Sequence, residues 1–147
     1  MMIKDRVYYM SGVNTRHVCR HIYLLNAKID HLTSFNTDEG RVSREQVYIL
    51  EIIAEEPDIT QKELISKMKK EQTAVSRAVQ KMVDYGYIRK SQSKEDLRAT
   101  YLQISDRGLE LIDTLDDEIC ELTDDLLKDL SKEEVKSLTE ILEKIHH

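Results

Sequence analysis

The sequence is poor in the residues that make turns and covalent cross-links. Its 147 residues include four glycines and a single proline, Pro57. An all-β fold needs more turn residues, so this scarcity favours a chain built mainly from α-helices. The two cysteines, Cys19 and Cys120, lie far apart and form no CxxC pair. A disulfide scaffold is therefore not indicated.

Long apolar segments and catalytic motifs are also missing. No apolar run approaches the roughly 20 residues that cross a bilayer, and the N-terminal MMIKDRVYYM lacks the apolar core of a signal peptide. We therefore expect a cytoplasmic protein with no membrane partner. The sequence also has no glycine-rich phosphate loop, nucleophile elbow or HExxH motif. We expect neither an enzyme nor a bound cofactor.

Negative charge dominates the chain, but it is unevenly distributed. The formal net charge of −6 argues against a nucleic-acid partner, because neutralising phosphate requires Lys and Arg. Residues 60–108, however, carry 11 basic and 6 acidic side chains. The corresponding numbers are 7 and 9 for residues 1–59, and 4 and 13 for residues 109–147. A polyanion would thus be attracted to the middle of the chain and repelled from its ends.

Apolar spacing and capping motifs predict three helices in the first half of the chain. The first runs from about Ser11 to Phe35, and the polar stretch 36–41 ends it. A capping box at Ser43 opens the second helix, which stops at Pro57, and another at Thr60 opens a short third helix. The first helix has one apolar stripe, formed by Val18, Ile22, Leu25, Ile29 and Leu32. In the second and third helices, the residues predicted to face inward are Val47, Leu50, Ile53, Ala54, Leu64, Ile65 and Met68.

The segment EQTAVSRAVQKMVDYGYIRK, residues 71–90, predicts a fourth helix with one apolar side. Gly86 stands where a left-handed residue is expected to end that helix. Ile88–Gln92 and Thr100–Ile104 are predicted strands, because they contain β-branched and aromatic residues, and the charged tip 93–99 makes them a hairpin. The apolar side consists of Val75, Val79, Met82 and Val83.

Two more helices are predicted in the C-terminal third. One begins near Ser105 and has apolar residues at about the 3.5-residue spacing of a coiled-coil seam. A capping box at Ser131 opens the last helix. The apolar positions are Ile112, Leu115, Ile119, Leu122 and Leu126 in the first of these, and Val135, Leu138, Ile141, Leu142 and Ile145 in the second.

The order helix, helix, polar-faced helix and hairpin is that of a helix-turn-helix followed by a β-wing. A B-DNA major groove admits one α-helix, whose N-terminal side chains read base edges through hydrogen bonds. The exposed face has no acidic residue between Glu71 and Asp84, so we predict that it contacts DNA. An ordinary solvated helix face is the alternative. The predicted contact residues are Gln72, Thr73, Ser76, Arg77, Gln80 and Lys81.

The tip of the predicted wing carries Lys94 and Arg98, with Asp96 two positions before the arginine. The carboxylate could pair with the guanidinium or its neighbours and hold the tip in one shape, which suits an arginine that enters the narrow minor groove. We therefore predict that Lys94 and Arg98 contact DNA and that Asp96 orients the wing. The alternative is a pair of exposed charges worth about 0–1 kcal/mol.

Two stretches resemble the MarR/SlyA family of winged helix-turn-helix transcription regulators. EDLRATYLQISDRG, residues 95–108, is similar to the family's wing signature. TAVSRAVQKMVDYGYIRK, residues 73–90, resembles the recognition helix and its exit into the wing. Arg89-Lys90-Ser91 departs from the family's commoner arginine, so the residue that grips phosphate there stays open. The residues that match the wing signature are Asp96, Arg98, Ile104, Ser105 and Gly108.

The resemblance implies a transcriptional repressor that binds double-stranded DNA as a homodimer, on a pseudo-palindromic operator. It also implies that a small organic effector relieves the binding. The domains would be an N-terminal dimerisation helix at residues 1–42, a winged helix-turn-helix at 43–104, and C-terminal dimerisation helices at 105–147. The fold class would be mainly α with a small β-hairpin.

Several residues are candidates for sensing. His17 and His21 lie four apart on the first helix, and Tyr23 and Tyr48, with Phe35, could line an organic effector pocket or belong to the core. A metal site would need a third ligand, and none is clear, so no metal is predicted.

Cys19 lies in HVCRH, where neighbouring cations favour thiolate chemistry, or it is a small hydrophobic residue buried in a dimer helix. Two alternatives remain: a redox- or metal-responsive regulator of the same fold, and a winged-helix module that binds an acidic protein. Steep salt dependence and preference for one duplex sequence would distinguish DNA binding from protein binding.

Overall fold

The structure is a computed structural model that describes residues 15–146. Its elements are α1 (Thr15–Leu32), β1 (Ser34–Asn36), β2 (Arg41–Ser43), α2 (Arg44–Glu55), β3 (Ile59–Thr60), α3 (Gln61–Met68), α4 (Gln72–Asp84), β4 (Ile88–Gln92), β5 (Thr100–Ile104), α5 (Asp106–Leu126) and α6 (Lys132–His146). Contacts divide the chain into two compact units, one ending at Arg44 and the other beginning at Glu45. The predicted mainly α class with a β-hairpin is confirmed.

Helix α1 carries the predicted apolar stripe, but none of its residues is buried. The predicted start of this helix, residues 11–14, lies outside the described residues. The helix ends at Leu32, three positions before the predicted end at Phe35. Close to this end, the Thr33 hydroxyl donates to the Ile29 carbonyl oxygen at 2.6 Å.

Around the polar stretch 36–41, which was predicted to end the first helix, strands β1 and β2 form an antiparallel hairpin that was not predicted. Phe35 pairs with Val42, and both side chains are buried. The turn closes through backbone hydrogen bonds between Thr37 and Gly40, at 2.9 and 3.2 Å. Gly40 has a φ of 145°, which favours glycine. Strands of three residues leave too short an alternation to be read from sequence.

Two of the predicted capping boxes are present as hydrogen bonds. Thr60 Oγ1 accepts from the Glu63 backbone N–H at 3.1 Å, and Ser131 Oγ accepts from the Glu134 N–H at 3.1 Å. Glu134 completes its box, since its carboxylate accepts the Ser131 N–H at 3.0 Å. These bonds satisfy N–H groups that the first turn of a helix leaves unpaired, and they explain why α3 and α6 begin where the sequence predicts.

We expect Thr60→Ala to lower the free energy of unfolding by about 1 kcal/mol, because the first turn of α3 loses its side-chain acceptor. Thr60→Ser keeps the hydroxyl and should cost much less. Urea denaturation followed by circular dichroism measures both variants. Equal stability of the alanine variant and the wild type would contradict a stabilising role for this cap.

The core of the second unit lies among α2, α3, α4 and the wing strands. The predicted inward faces of the three helices are confirmed at their central positions, while Ala54, Ile65, Met68 and Val83 are only half-buried. The confirmed core residues are Val47, Leu50, Ile53, Leu64, Val75, Val79 and Met82. The predicted apolar residues of α5 and α6 lie mostly outside this core. Only Leu115 of the five in α5 is buried, and α6 has no buried residue.

The predicted wing strands have the bounds that the sequence indicates, and they pair antiparallel from Ile88 opposite Ile104 to Gln92 opposite Thr100. A two-residue strand, β3, joins the other edge of β5, so the sheet order is β3-β5-β4. Strand β3 was not predicted, because two residues carry no alternation. Gly86 follows the end of α4 and has a φ of 84°, the left-handed conformation predicted for the residue at this position.

Glu51 on α2 lies near two other acidic side chains, Glu55 on the same helix and Asp116 on α5. Partial burial raises the pKa of Glu51 above its ordinary value of 4.5, and repulsion by Glu55 and Asp116 raises it further. The folded state therefore binds this proton more tightly than the unfolded state. The contribution of this tighter proton binding to the free energy of unfolding is fully present below pH 4.5. It is lost as the pH rises through the pKa of Glu51 in the folded state.

At pH 7 we expect Glu51→Gln to stabilise the fold by roughly 0.2–0.5 kcal/mol, the size of a like-charge repulsion on a helix surface. The gain should disappear below about pH 4, where Glu51 is protonated in both states. Thermal unfolding at a series of pH values measures the difference. Glu143→Gln, on α6, removes one negative charge elsewhere and serves as the control. A gain that is independent of pH would contradict the assignment.

Candidate nucleic-acid interface

Helix α4 has one buried side and one exposed side. Val75, Val79 and Met82 are fully buried against the unit core. Of the residues predicted to contact DNA, four are exposed and two, Ser76 and Lys81, are half-buried. The helix begins after Glu71, whose side chain makes no capping hydrogen bond. The first turn therefore keeps N–H groups that can donate to an anion, and the helix dipole favours one there.

The turn before α4 is short and well anchored. It consists of residues 69–71, the length typical of a helix-turn-helix. Lys69 has a φ of 51°, in the left-handed region. Lys70 Nζ lies 3.2 Å from Glu45 Oε2 on α2, and Gln61 Nε2 donates to Ser76 Oγ at 3.2 Å. These contacts fix α4 relative to the two helices that precede it.

The six predicted contact residues of α4 fall into two groups. No hydrogen bond or ion pair joins Gln72, Thr73 or Arg77 to another side chain in the described part of the chain. The other three are engaged: Ser76 with Gln61, Lys81 with the Tyr85 ring, and Gln80 with two partners. The first group is therefore free to bind a ligand without breaking an internal contact.

Gln80 is the most engaged residue of the exposed face. Its Oε1 accepts from Lys90 Nζ at 2.8 Å, and its Nε2 donates to Asp84 Oδ1 at 2.9 Å. Lys90 belongs to wing strand β4, so the contact joins the recognition helix to the wing. The sequence left the role of Lys90 open. Its only hint of the contact with Gln80 was that Lys90 follows shortly after the polar helix.

The wing tip is organised by local hydrogen bonds. Asp96 Oδ1 accepts the Arg98 backbone N–H at 3.0 Å. Ser93 Oγ accepts the N–H groups of Glu95 and Asp96 at 3.2 and 3.3 Å. The predicted link between Asp96 and Arg98 thus runs through the backbone. Because this link leaves the guanidinium uninvolved, the tip is held while the Arg98 side chain stays exposed.

A cleft of about 600 Å³ is lined by one of the predicted helix residues, Gln72, and by two of the predicted wing residues, Asp96 and Arg98. Gln72 at the start of α4 and Arg98 at the wing tip both line it, together with Lys62 of α3. Residues that are 26 positions apart in sequence are therefore brought to one surface. Lys62 was not predicted as part of this surface. It lies in the first turn of α3, and only the fold shows that this turn faces the wing.

The proposed sensing residues do not form a cluster of ligands. In residues 15–146, no group of three or more His, Cys, Asp or Glu side chains is placed to hold a metal ion. His17, Cys19, His21 and Tyr23 of α1 are exposed in the single chain. Tyr48 is also exposed.

Cys120 is exposed too, and repulsion by Asp116, followed by slight desolvation and by Asp124 and Asp117, raises its thiol pKa. Such a thiol is a poor nucleophile. Phe35 is buried in the β1–β2 hairpin. Within the described part of the chain, no helix combines the length and apolar character of a membrane span.

Comparison with known proteins finds one matching family model and a regulator of similar sequence. Residues 42–100 match the model of the MarR family. The HTH-type transcriptional regulator BilQ of Clostridium symbiosum is 25% identical over 99 residues, which are 67% of this chain and 69% of that protein.

Solved structures show the same fold at lower identity. A MarR variant from E. coli in complex with operator DNA has a TM-score of 0.78 at 22% identity, covering 89% of this chain and 94% of that one. The PcaV regulator of Streptomyces coelicolor, in complex with its natural ligand, has a TM-score of 0.75 at 16% identity, covering 94% and 95%. The transcriptional regulator SlyA has a TM-score of 0.77 at 20% identity, covering 87% and 90%.

Proposed function

We propose that this chain, in which residues 42–100 match the model of the MarR family, is a repressor that binds a pseudo-palindromic DNA operator as a homodimer. A small organic molecule would relieve the binding. The observation that carries the proposal is the shared surface of helix and wing, where Gln72 and Arg98 line one cleft. A duplex binds such a surface through its major groove and the adjacent backbone or minor groove.

The free side chains of α4 support base recognition. Gln72, Thr73 and Arg77 are exposed and have no competing internal partners among the described residues. They lie in the first two turns of the helix, the part that reaches base edges in helix-turn-helix complexes. Arginine can bind guanine O6 and N7 together, and glutamine can bind adenine N6 and N7. The chemistry of sequence-specific recognition is thus available at this surface.

The charge distribution supports the same orientation. Residues 60–108, which include α3, α4 and the wing, hold 11 basic and 6 acidic side chains. Helix α5 is acidic along most of its length. A duplex would be attracted to the helix and wing and repelled by α5, despite the net charge of −6.

Exposed apolar side chains on the terminal helices support a homodimer. Water-exposed apolar stripes on helices cost free energy, and a second copy of the chain would cover them. In such a dimer, the two recognition helices would enter major grooves about 34 Å apart. The exposed residues concerned are Val18, Ile22, Leu25 and Leu32 of α1, and Ile141, Leu142 and Ile145 of α6.

An organic effector is proposed by analogy with the PcaV regulator, which has the same fold and was solved with its natural ligand. The candidate residues are His17, His21, Tyr23 and Tyr48, which are exposed in the single chain. Their contribution is testable by ligand screening against the wild-type dimer, with release of bound DNA as the readout.

Selection of bound duplexes from a random pool tests the proposed function. We expect an inverted repeat whose half-sites are one helical turn apart, together with an affinity that falls steeply with salt. Sedimentation analysis should show a dimer at the same protein concentration. Binding that is independent of sequence, or a preference for an acidic protein over DNA, would contradict the proposal and favour the protein-binding module.

A further inference from the structure

The contacts of Gln80 determine which way its side-chain amide faces. A lysine ammonium can only donate hydrogen bonds, and an ionised carboxylate can only accept them. The atom beside Lys90 must therefore be Oε1, and the atom beside Asp84 must be Nε2. Turning the amide over would place its NH₂ group against the ammonium and its oxygen against the carboxylate. Both contacts would become repulsive, so only one orientation is compatible with the two neighbours.

Gln80 still has hydrogen-bonding capacity in this orientation. An amide oxygen has two acceptor positions and an amide nitrogen has two N–H groups. Lys90 uses one of the first and Asp84 uses one of the second. One acceptor position and one N–H remain. This is the pair of groups with which glutamine binds the N6 and N7 atoms of adenine in the major groove.

A fixed amide has a consequence for sequence preference. An A·T pair and a T·A pair present the same groups in the major groove in reversed order. A glutamine that turns over freely can match either order, because exchanging its oxygen and nitrogen reverses its own pattern. A glutamine held by two neighbours matches only one order. Holding the amide therefore adds discrimination between a base pair and its reverse.

We propose that Lys90 and Asp84 are positioning residues that orient Gln80, so that Gln80 prefers A·T over T·A at one position of each operator half-site. The inference rests on the proposed function, since it requires a selected operator. It also gives Lys90 a role other than the phosphate contact expected of an exposed lysine on a wing strand. The two roles differ in what they do to binding and can be separated.

The test uses the operator selected by the full-length wild-type protein, changed one base pair at a time. For the wild type we expect one position per half-site at which A·T binds about tenfold or more tightly than T·A, as for a bidentate contact. Gln80→Ala should abolish that preference. Lys90→Met and Asp84→Asn should reduce it to about twofold or less at the same position only, because Met cannot donate and Asn can face either way. Lys90→Arg retains a donor and should preserve the preference.

Lys94→Met is the matched control for charge, since Lys94 lies at the exposed wing tip without a described partner. It should weaken binding to all sequences alike. The slope of log affinity against log salt concentration should become shallower by about 0.9 for each lost phosphate contact. The same uniform effect in Lys90→Met would overturn the inference. So would an unchanged base preference in Gln80→Ala. If the wild type selects no sequence at all, the proposed function fails and this inference fails with it.

Discussion

Arg98→Ala is expected to weaken binding to the selected operator about tenfold to a hundredfold, because each arginine contact with a base or groove is worth roughly 1–3 kcal/mol. The effect should be large, since the proposed homodimer would carry the substitution twice. Arg98 is exposed, and Asp96 fixes its backbone rather than its guanidinium. An arginine presented in this way can enter a narrow, electronegative minor groove. Fluorescence anisotropy with labelled duplex at constant salt measures the change.

Arg77→Ala should cause a loss of similar size, but through the major groove. The two arginines can be distinguished by their sequence dependence, since losing a base contact relaxes specificity at one position. Lys128→Ala serves as the control, because it also removes one positive charge but lies after α5, beside Asp125. We expect its affinity to be unchanged. Normal affinity of both arginine variants at physiological salt would contradict the placement of helix and wing on DNA.

Gly108→Ala is expected to lower the free energy of unfolding by about 2–3 kcal/mol, near the upper end of the range for overpacking a core. A Cβ at Gly108 would lie 2.5 Å from the Tyr87 carbonyl oxygen and 2.6 Å from Ile104 Cγ1. Backbone at Tyr87 cannot move aside like the end of a side chain, so α5 would have to shift from the wing. Urea denaturation measures the loss.

The packing at Gly108 belongs to a small network that joins the recognition helix, the wing and α5. Ser105 Oγ accepts the Gly108 N–H at 3.1 Å and donates to the Gly86 carbonyl oxygen at 2.6 Å. The Ser105 N–H donates to the Tyr87 carbonyl oxygen at 3.0 Å. Serine and glycine three positions apart thus let α5 begin directly against the exit of α4. This gives a structural reason for the Ser105 and Gly108 positions of the wing signature.

Gly86→Ala provides a comparison with a different cause. Its Cβ would meet Arg107 Nη1 at 2.8 Å, and that flexible side chain can move away. The cost there comes mainly from the φ of 84°, which disfavours alanine by about 1–2 kcal/mol. Gly86→Asn should cost less than Gly86→Ala, because asparagine tolerates this conformation better.

A Gly108→Ala protein as stable as the wild type would contradict the prediction for Gly108 and would show that α5 adapts without strain.

Much of the fold was predictable because it depends on neighbours in the sequence. The cap at Thr60 and the box at Ser131 use residues three positions apart, and both are present. The wing strands Ile88–Gln92 and Thr100–Ile104 are long enough to show their pattern. The strands of two or three residues were missed, because their identity depends on a partner strand rather than on their own composition.

The candidate site also has one part that the sequence predicts and another part that only the folded structure shows. The exposed face of α4 could be predicted, because the apolar stripe through Val75 and Val79 determines which side is buried. Sequence could not separate the free side chains of Gln72 and Arg77 from the engaged side chain of Gln80. It also gave no sign that Lys62 lies on the same cleft as the wing.

The sequence by itself determined the helices, the caps, the wing hairpin and the polarity of the recognition face, because these follow from spacings within one or two turns. Only the tertiary structure decided which of those polar groups are free and which are held. Lys90 meets Gln80 across ten positions, and Arg98 shares a cleft with Gln72 across 26. Residues so far apart in sequence come together only after the chain has folded, since packing of the core sets the distances between them.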